Sequence, residues 1–270
     1  MTDPKTSALT PFEVLLSNLA NLVDFVTKSI EIQKVLPGIV NWAQAWPEAK
    51  STTQAFMKTT LDFDQILYNS CYLNMVACYE EFIRKVISIV AENFVEDCYE
   101  FDRIPKELSQ FHLVSSARLL TRFYNPPQQF QAPDFWSVAK KLGTWFPSAP
   151  KVEINSDAVS LGVDLLSLTD VCDLCGKFGQ KITLDVLGGE SELADALSLP
   201  TGRNAGKELQ KFLDELAKRR NRIAHTGSSA DVTREMFLDH LGFLRILAEA
   251  IAGSVSIPEK KIKKTVRAEH

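Results

Sequence analysis

The feature that most constrains the fold is a long run without glycine or proline, from Asp64 to Asp97. Its centre reads LNMVACYEEFIRKVISIV, and its apolar residues recur at three- and four-residue spacing, which predicts an α-helix. This run is expected to be the longest helix of the chain. Other helices must pack along it, so the sequence predicts a mostly α-helical fold with long helices in antiparallel contact.

Similar spacing predicts further long helices over 11–34, 105–123, 203–225 and 232–253. Pro37 and Gly38 are expected to end the first of these, and Gly227 is the natural residue just after the third, 203–225. The segment 134–146 predicts a short helix that closes near Gly143, and KVEI could form a short strand. Between 157 and 200 we expect short helices separated by GKFGQ and GG.

This pattern predicts an all-α chain in three parts. Residues 1–60 form an N-terminal helical extension, and 61–256 form a helical bundle with irregular insertions. Residues 257–270 form a basic tail, which is expected to be solvated and disordered.

Net charge and apolar content narrow the classes of function. The formal net charge is -4 and the pI is about 5.7, which argues against a protein that coats nucleic acid with a generally basic surface. Any contact with nucleic acid must therefore come from a local basic patch. There is no basic leader before an apolar run, and apolar stretches such as VISIV are short. We therefore expect a cytoplasmic protein without a membrane span.

The five cysteines are an odd number in a chain that is not small, which fits a reducing compartment. Cys172 and Cys175 form a lone C-x-x-C pair. A zinc site needs four ligands and no second pair is visible, so two buried helix cysteines are the favoured interpretation. No metal or cofactor is expected. His112 and His240 are expected to be structural, and the glycine-bearing LGGES and TGRNAGK lack P-loop spacing.

A basic patch does occur on the helix predicted from Arg203 to His225. At 100° per residue, most of its cations fall within one arc of about 100°, and Asn221 and His225 fall within the same arc. These cations are Arg203, Lys207, Lys211, Lys218 and Arg222. The opposite face carries the apolar residues Leu209, Phe212, Leu213, Leu216 and Ile223. The segment from Arg203 to Arg222 holds seven Lys or Arg against three acids, so it could bind phosphates.

Arg220 differs from these cations because it falls near the apolar side of the helix. A guanidinium there needs a partner, and Glu80 or Glu81 in the middle of the long helix is the obvious candidate. A basic helix C-terminus also has an interpretation without function, because it complements the helix dipole.

The segment RRNRIAHTG resembles the signature of the HEPN superfamily, an arginine, a polar residue and then a histidine within one helix end. Here these are Arg220, Asn221 and His225, although Arg219 could be counted as the arginine with one more intervening residue. ACYEEFIRKV is similar to the acidic segment of RiboL-PSP-type HEPN proteins, with Glu80 at the acidic position. The resemblance extends over residues 64–254 and implies an HEPN-like antiparallel helical bundle.

The resemblance implies a metal-independent endoribonuclease that cleaves RNA through its 2'-hydroxyl, in a toxin or an antiviral defence effector. It implies a homodimer in which His225 of both chains forms one composite site and Arg220 grips the phosphate or orders the site. Glu80 would orient Arg220 or His225, and Asn221 could hold the imidazole or a phosphate oxygen. The implied partners are RNA and a possible antitoxin or regulatory protein. RNA would be bound by Lys207, Lys211, Lys218, Arg219 and Arg222.

A second interpretation has the same fold but no RNA-cleaving activity. In it the chain is a non-catalytic HEPN module that binds RNA, a nucleotide or a protein partner. The complete set of Arg220, Asn221 and His225 favours the enzyme, because a purely structural copy has no need of all three.

Overall fold

The computed structural model describes residues 3, 5–42, 63–98, 104–124, 134–146, 151–198, 203–226 and 232–255. Helix accounts for 83% of this part and no strand occurs in it, so the predicted all-α class is confirmed. A π-helical turn at Lys5–Leu9 precedes the first helix, and a 3-10 turn at Ser160–Gly162 follows the fifth. The helices are α1 (Thr10–Trp42), α2 (Phe63–Cys98), α3 (Lys106–Tyr124), α4 (Phe135–Gly143), α5 (Ser156–Val159), α6 (Leu168–Lys177), α7 (Leu184–Leu187), α8 (Ser191–Ala196), α9 (Arg203–Thr226) and α10 (Arg234–Ser254).

The long helix α2 is the centre of the core. Its central residues are buried on several sides, since α1, α5, α6, α9 and α10 all contact it. Tyr72, Met75, Tyr79, Ile83 and Ile87 are each completely buried. A glycine-free helix whose apolar residues are not confined to one stripe can be surrounded in this way, because each side offers apolar surface to a neighbour.

The described part of the N-terminal extension belongs to the same core as α2. Phe12 stacks on Phe82 with ring centroids 5.0 Å apart, and the Thr27 hydroxyl lies 3.1 Å from the Tyr68 hydroxyl. The residue numbers of these contacts rise along α1 and fall along α2, so the two helices are antiparallel. The described part of residues 1–60 therefore shares one hydrophobic core with the helices that follow.

Two local predictions were wrong. Helix α1 continues through Pro37 and Gly38 to Trp42. A proline inside a helix removes one hydrogen bond, at a cost of about 3 kcal/mol, and the rest of a long helix can offset that loss. The KVEI segment, 151–154, has no regular secondary structure and pairs with no strand among the described residues. The Glu153 N–H donates to Thr144 Oγ1 at 2.8 Å and Trp145 Nε1 donates to the Glu153 carbonyl at 2.5 Å, so side chains satisfy its backbone.

One described helix contradicts the expectation that no stretch is long enough to cross a membrane. Ser7–Lys28 meets the criteria of length and composition, with a mean hydropathy of 1.2. The physical reason is that α1 is apolar on two faces. Phe12, Leu16 and Val23 are buried in the core, whereas Leu22 and Phe25 are exposed. A core helix of a soluble protein passes the same test, so the predicted location stays a prediction.

The connecting region and the last two helices agree with the predictions. Short helices occupy 156–196, and α9 and α10 end within a residue or two of the expected positions. Thr233 begins α10 as an N-cap whose hydroxyl accepts from the Met236 N–H at 3.2 Å. Gly227, the turn at 228–231 and the tail at 257–270 lie outside the described residues.

Candidate functional site

The candidate site is built on α9, whose two faces are those expected from the helical wheel. Leu209, Leu213 and Leu216 are completely buried and Ile223 is 3% exposed. The exposed residues of the opposite arc are Lys207, Lys211, Lys218, Asn221, Arg222 and His225. The side chain of Arg203 lies outside the described residues. The basic face therefore points to solvent along the whole described length of the helix.

A glycine sets how closely α9 approaches its neighbour. A Cβ at Gly206 would lie 2.4 Å from the Leu184 carbonyl oxygen and 2.9 Å from its carbonyl carbon. Real Cβ atoms do not come so close to a backbone. Gly206 thus permits α9 to press directly against α7, which fixes the start of the basic helix.

Arg220 is joined to the acidic residue expected from the sequence. Its Nη2 donates to Glu80 Oε1 on α2 at 2.5 Å, and its Nη1 donates to Asn221 Oδ1 at 3.1 Å. The side chains of Glu80 and Arg220 are 24% and 37% exposed, so the pair is partly shielded from water. Glu81 instead pairs with Arg84 on its own helix. Three of the residues predicted for the site therefore form one hydrogen-bonded group.

His225 is placed apart from this group. It is exposed, and within the described ranges the structure gives it no hydrogen bond or ion pair. It follows Arg220 by five residues, which puts it about 140° around an ideal helix. Asn221 lies one turn earlier on nearly the same side as His225. A single chain thus presents a fixed arginine and an open imidazole on different sides of one helix end.

The cations of the basic face are less free than their number suggests. Lys211 is paired with Glu208, and Lys218 is paired with Glu215 at 3.1 Å. Both pairs join residues three apart and lie largely in water, where such pairs contribute about 0.5 kcal/mol or less. Phosphates could therefore replace the carboxylates at small cost. The sequence count already includes these two carboxylates, so the net positive charge of the helix is unchanged, and both lysines can exchange their partners.

Arg219 does not join the Glu80 group. It lines a groove of about 630 Å³ between α9 and α10, together with Phe212, Lys218 and His240. His240 Nδ1 lies 2.9 Å from the hydroxyl of buried Tyr72, and burial together with the Arg219 charge lowers the pKa of His240. The structure thereby separates two neighbours that spacing alone left interchangeable. Sequence reasoning missed the groove, because Tyr72 and His240 are 168 residues apart and share no motif.

The remaining polar candidates have structural roles. His112 is completely buried and stacks on Trp145 at 4.0 Å, and its Nε2 accepts from the Asn155 N–H at 2.9 Å. Burial, helped by Lys141, lowers the pKa of His112 to about 3, so the ring is neutral. Burial raises the pKa of Cys172 to about 11 and of Cys175 to about 12, so neither thiol is a ready nucleophile.

Comparisons of the chain with protein-family models, with curated proteins and with solved structures find no match. The interpretation of the site therefore depends on its own geometry and on the sequence motif. That geometry joins Glu80, Arg220 and Asn221, and it leaves His225 open to a substrate.

Proposed function

We propose that this protein is an HEPN-type endoribonuclease that cleaves RNA through its 2'-hydroxyl, without a metal ion, as a homodimer. The observation that carries the proposal is the hydrogen-bonded group of Glu80, Arg220 and Asn221 beside an exposed His225. A toxin or a defence effector that cuts cellular or invading RNA is the role that fits such an activity. An antitoxin or a regulatory protein is then the expected partner.

The chemistry needs two proton transfers and no external nucleophile. A base removes the 2'-hydroxyl proton, and the 2'-oxygen attacks the adjacent phosphorus. The bond from phosphorus to the 5'-oxygen breaks, and an acid protonates that oxygen. The products are a 2',3'-cyclic phosphate and a 5'-hydroxyl. An imidazole such as His225 is suited to both transfers near neutral pH, because the ordinary pKa of histidine is about 6.5.

The separation of Arg220 and His225 supports a composite site. They are about 7 Å apart along the axis of one helix and about 140° apart around it, so one phosphate cannot easily meet both side chains of the same chain. A second copy can supply its own His225 across the substrate. Two imidazoles would then face one strand, and one can act as the base while the other acts as the acid.

The activity test is incubation of total RNA with the full chain in the presence of EDTA, followed by analysis of the new ends. The parent protein is expected to cut RNA and leave cyclic phosphates, and His225→Ala is expected to leave the RNA intact. His225 is exposed, so the melting temperature should not change. Lys106→Ala, an exposed substitution on α3, is the matched control and should cut normally. Intact RNA with the parent, or equal cutting by His225→Ala, would favour the non-catalytic binding module.

The composite site has a separate test, in which inactive His225→Ala chains are titrated into a fixed amount of the parent. Exchange of subunits puts parent chains into mixed dimers that hold one histidine instead of two. Activity per parent chain is expected to fall towards zero as the inactive chain becomes the large excess. Constant activity after verified exchange of subunits, or full activity of an isolated monomer, would rule out a site shared between chains.

A further inference from the structure

The groove between α9 and α10 contains Arg219, which is paired with no acid among the described residues. Arg219 is partly buried there, and the part of the chain that the structure describes gives it no hydrogen bond or ion pair. Three acids also line the groove, but none of them is paired with Arg219, and two are held by lysines. Glu208 is held by Lys211, Glu215 is held by Lys218, and Asp214 accepts from Gln210 Nε2 at 2.7 Å. A guanidinium partly removed from water without a carboxylate favours an anion as its partner.

Aromatic rings form the wall beside this arginine. The His240 ring meets the edge of Phe212, with centroids 5.0 Å apart and an interplanar angle of 73°. Phe212 is also held by Phe243 at 4.1 Å, and His240 is held by its hydrogen bond to Tyr72. The lowered pKa keeps His240 towards its neutral form, so it offers a ring surface and not a second charge. Fixed rings next to a cation are the elements that bind a base and its phosphate in single-stranded nucleic acid.

The groove lies on the path of a strand bound at His225. Lys218 borders the groove, and it shares the exposed arc of α9 with His225 about two turns away. Two turns correspond to about 10 Å, which a few nucleotides can span. The volume of about 630 Å³ falls within the range of small-ligand pockets, so one nucleotide fits it.

We propose that this groove binds one nucleotide of the RNA substrate, with its phosphate on Arg219 and its base against Phe212 and His240. The inference rests on the proposed function, and it adds a site that positions the strand at a distance from the bond that is cut. An acidic peptide could also meet Arg219, but the basic face leading from the groove to His225 favours a polyanion.

The test uses the full chain and a fluorescein-labelled, single-stranded 2'-O-methyl oligonucleotide, which lacks the attacking hydroxyl and cannot be cut. Binding is measured by anisotropy over a series of salt concentrations. Arg219→Ala is expected to weaken binding about tenfold and to reduce the slope of log K against log salt by about 0.7, the value for one lost phosphate contact on a single strand. Arg219→Lys should restore the slope. Arg118→Ala, an exposed arginine on α3, is the matched control and should change neither quantity.

The contact with the base is tested on the ligand, where protein folding is not affected. Probes in which one nucleotide at a time is made abasic should reveal one position that costs about tenfold in affinity, the equivalent of one lost stacking contact. That penalty should disappear in His240→Ala. An abasic series with no sensitive position, or a penalty that survives in His240→Ala, would remove the base-binding role.

The outcomes separate this inference from the nuclease itself. If the parent binds the probe through Arg219 but cuts no RNA, the groove stands and the proposed function fails. If the parent cuts RNA while Arg219→Ala binds like Arg118→Ala, the groove fails and the nuclease stands. A probe that does not bind the parent at all overturns the inference.

Discussion

The replacement Glu80→Gln tests whether the contact between α2 and α9 orders the site. Glutamine keeps the size of the side chain and one acceptor oxygen, but it removes the charge opposite Arg220. Charge-assisted hydrogen bonds contribute about 1.5–3 kcal/mol when they are buried. Fully exposed ion pairs contribute 1 kcal/mol or less. Because Glu80 is 24% exposed and Arg220 is 37% exposed, we expect the free energy of unfolding to fall by about 1 kcal/mol.

The neighbouring residue provides a matched control. Glu81→Gln removes the same charge one position later, from a pair with Arg84 in which the side chains are 65% and 39% exposed. Such a pair on one helix contributes about 0.5 kcal/mol or less. Urea unfolding of the parent, Glu80→Gln, Glu81→Gln, Arg220→Ala and the two double variants gives two double-mutant cycles. Coupling to Arg220 is expected for Glu80 and not for Glu81.

The same variants can be assayed for cleavage of a defined oligonucleotide in single-turnover reactions. Under the proposed function, loss of the Glu80 charge frees the guanidinium, and the rate should fall about tenfold or more with little change in RNA affinity. Glu81→Gln should cut like the parent. Equal stability and equal rates for Glu80→Gln and Glu81→Gln would refute the idea that this contact orders the site. An effect on stability alone would leave the contact structural.

Two further predictions concern the scaffold. Gly206→Ala should lower the free energy of unfolding by about 2 kcal/mol, because its Cβ meets the Leu184 backbone. Gly242→Ala is the control, since a Cβ there has nothing within 4 Å, and it should raise the free energy of unfolding by about 0.5–1 kcal/mol. Effects of the same sign in urea unfolding would contradict this. The pKa of His112 is lowered to about 3, so the unfolded chain, with a pKa near 6.5, takes up that proton first as the pH falls. The contribution of the neutral ring to the free energy of unfolding is complete above about pH 6.5. It falls towards about pH 3 by up to about 1.4 kcal/mol per pH unit. His112→Gln should lack this part of the pH dependence.

The sequence predicted side-chain burial and pairing best where a single physical rule decides them. Helix α9 has a single apolar stripe, so the 3.6-residue period predicted which side chains are buried and which are exposed. The partner of Arg220 could also be anticipated, because a cation near an apolar face needs an acid and α2 offers two in its middle. Side-chain chemistry alone left Glu80 and Glu81 open, and only the family resemblance favoured Glu80. The rotation of α2 against α9 decides the pairing, because it directs Glu80 at Arg220 and leaves Glu81 with Arg84.

Sequence reasoning failed where the structure depends on contacts between different elements. The KVEI alternation is typical of a strand, yet the side chains of Thr144 and Trp145 take the place of a neighbouring strand. The division at residue 60, set where the resemblance ends, stays a prediction, and helical spacing carries no information about the stacking of Phe12 on Phe82. The groove at Arg219 was invisible for the same reason, because it depends on His240 lying against Phe212.

The pairing of Arg220 also limits what this residue can do in the proposed mechanism. Its charge is already met by Glu80, and its second nitrogen is directed at Asn221. The negative charge of a bound phosphate must then be met mainly by Arg219, which has no partner among the described residues, and by the lysines of the basic face, whose partners are easily exchanged. Arg220 is therefore better suited to position Asn221, and α9 against α2, than to hold the substrate. Arg219 and Arg220 would then have different roles, because consecutive side chains on a helix differ in direction by about 100° and contact different neighbours.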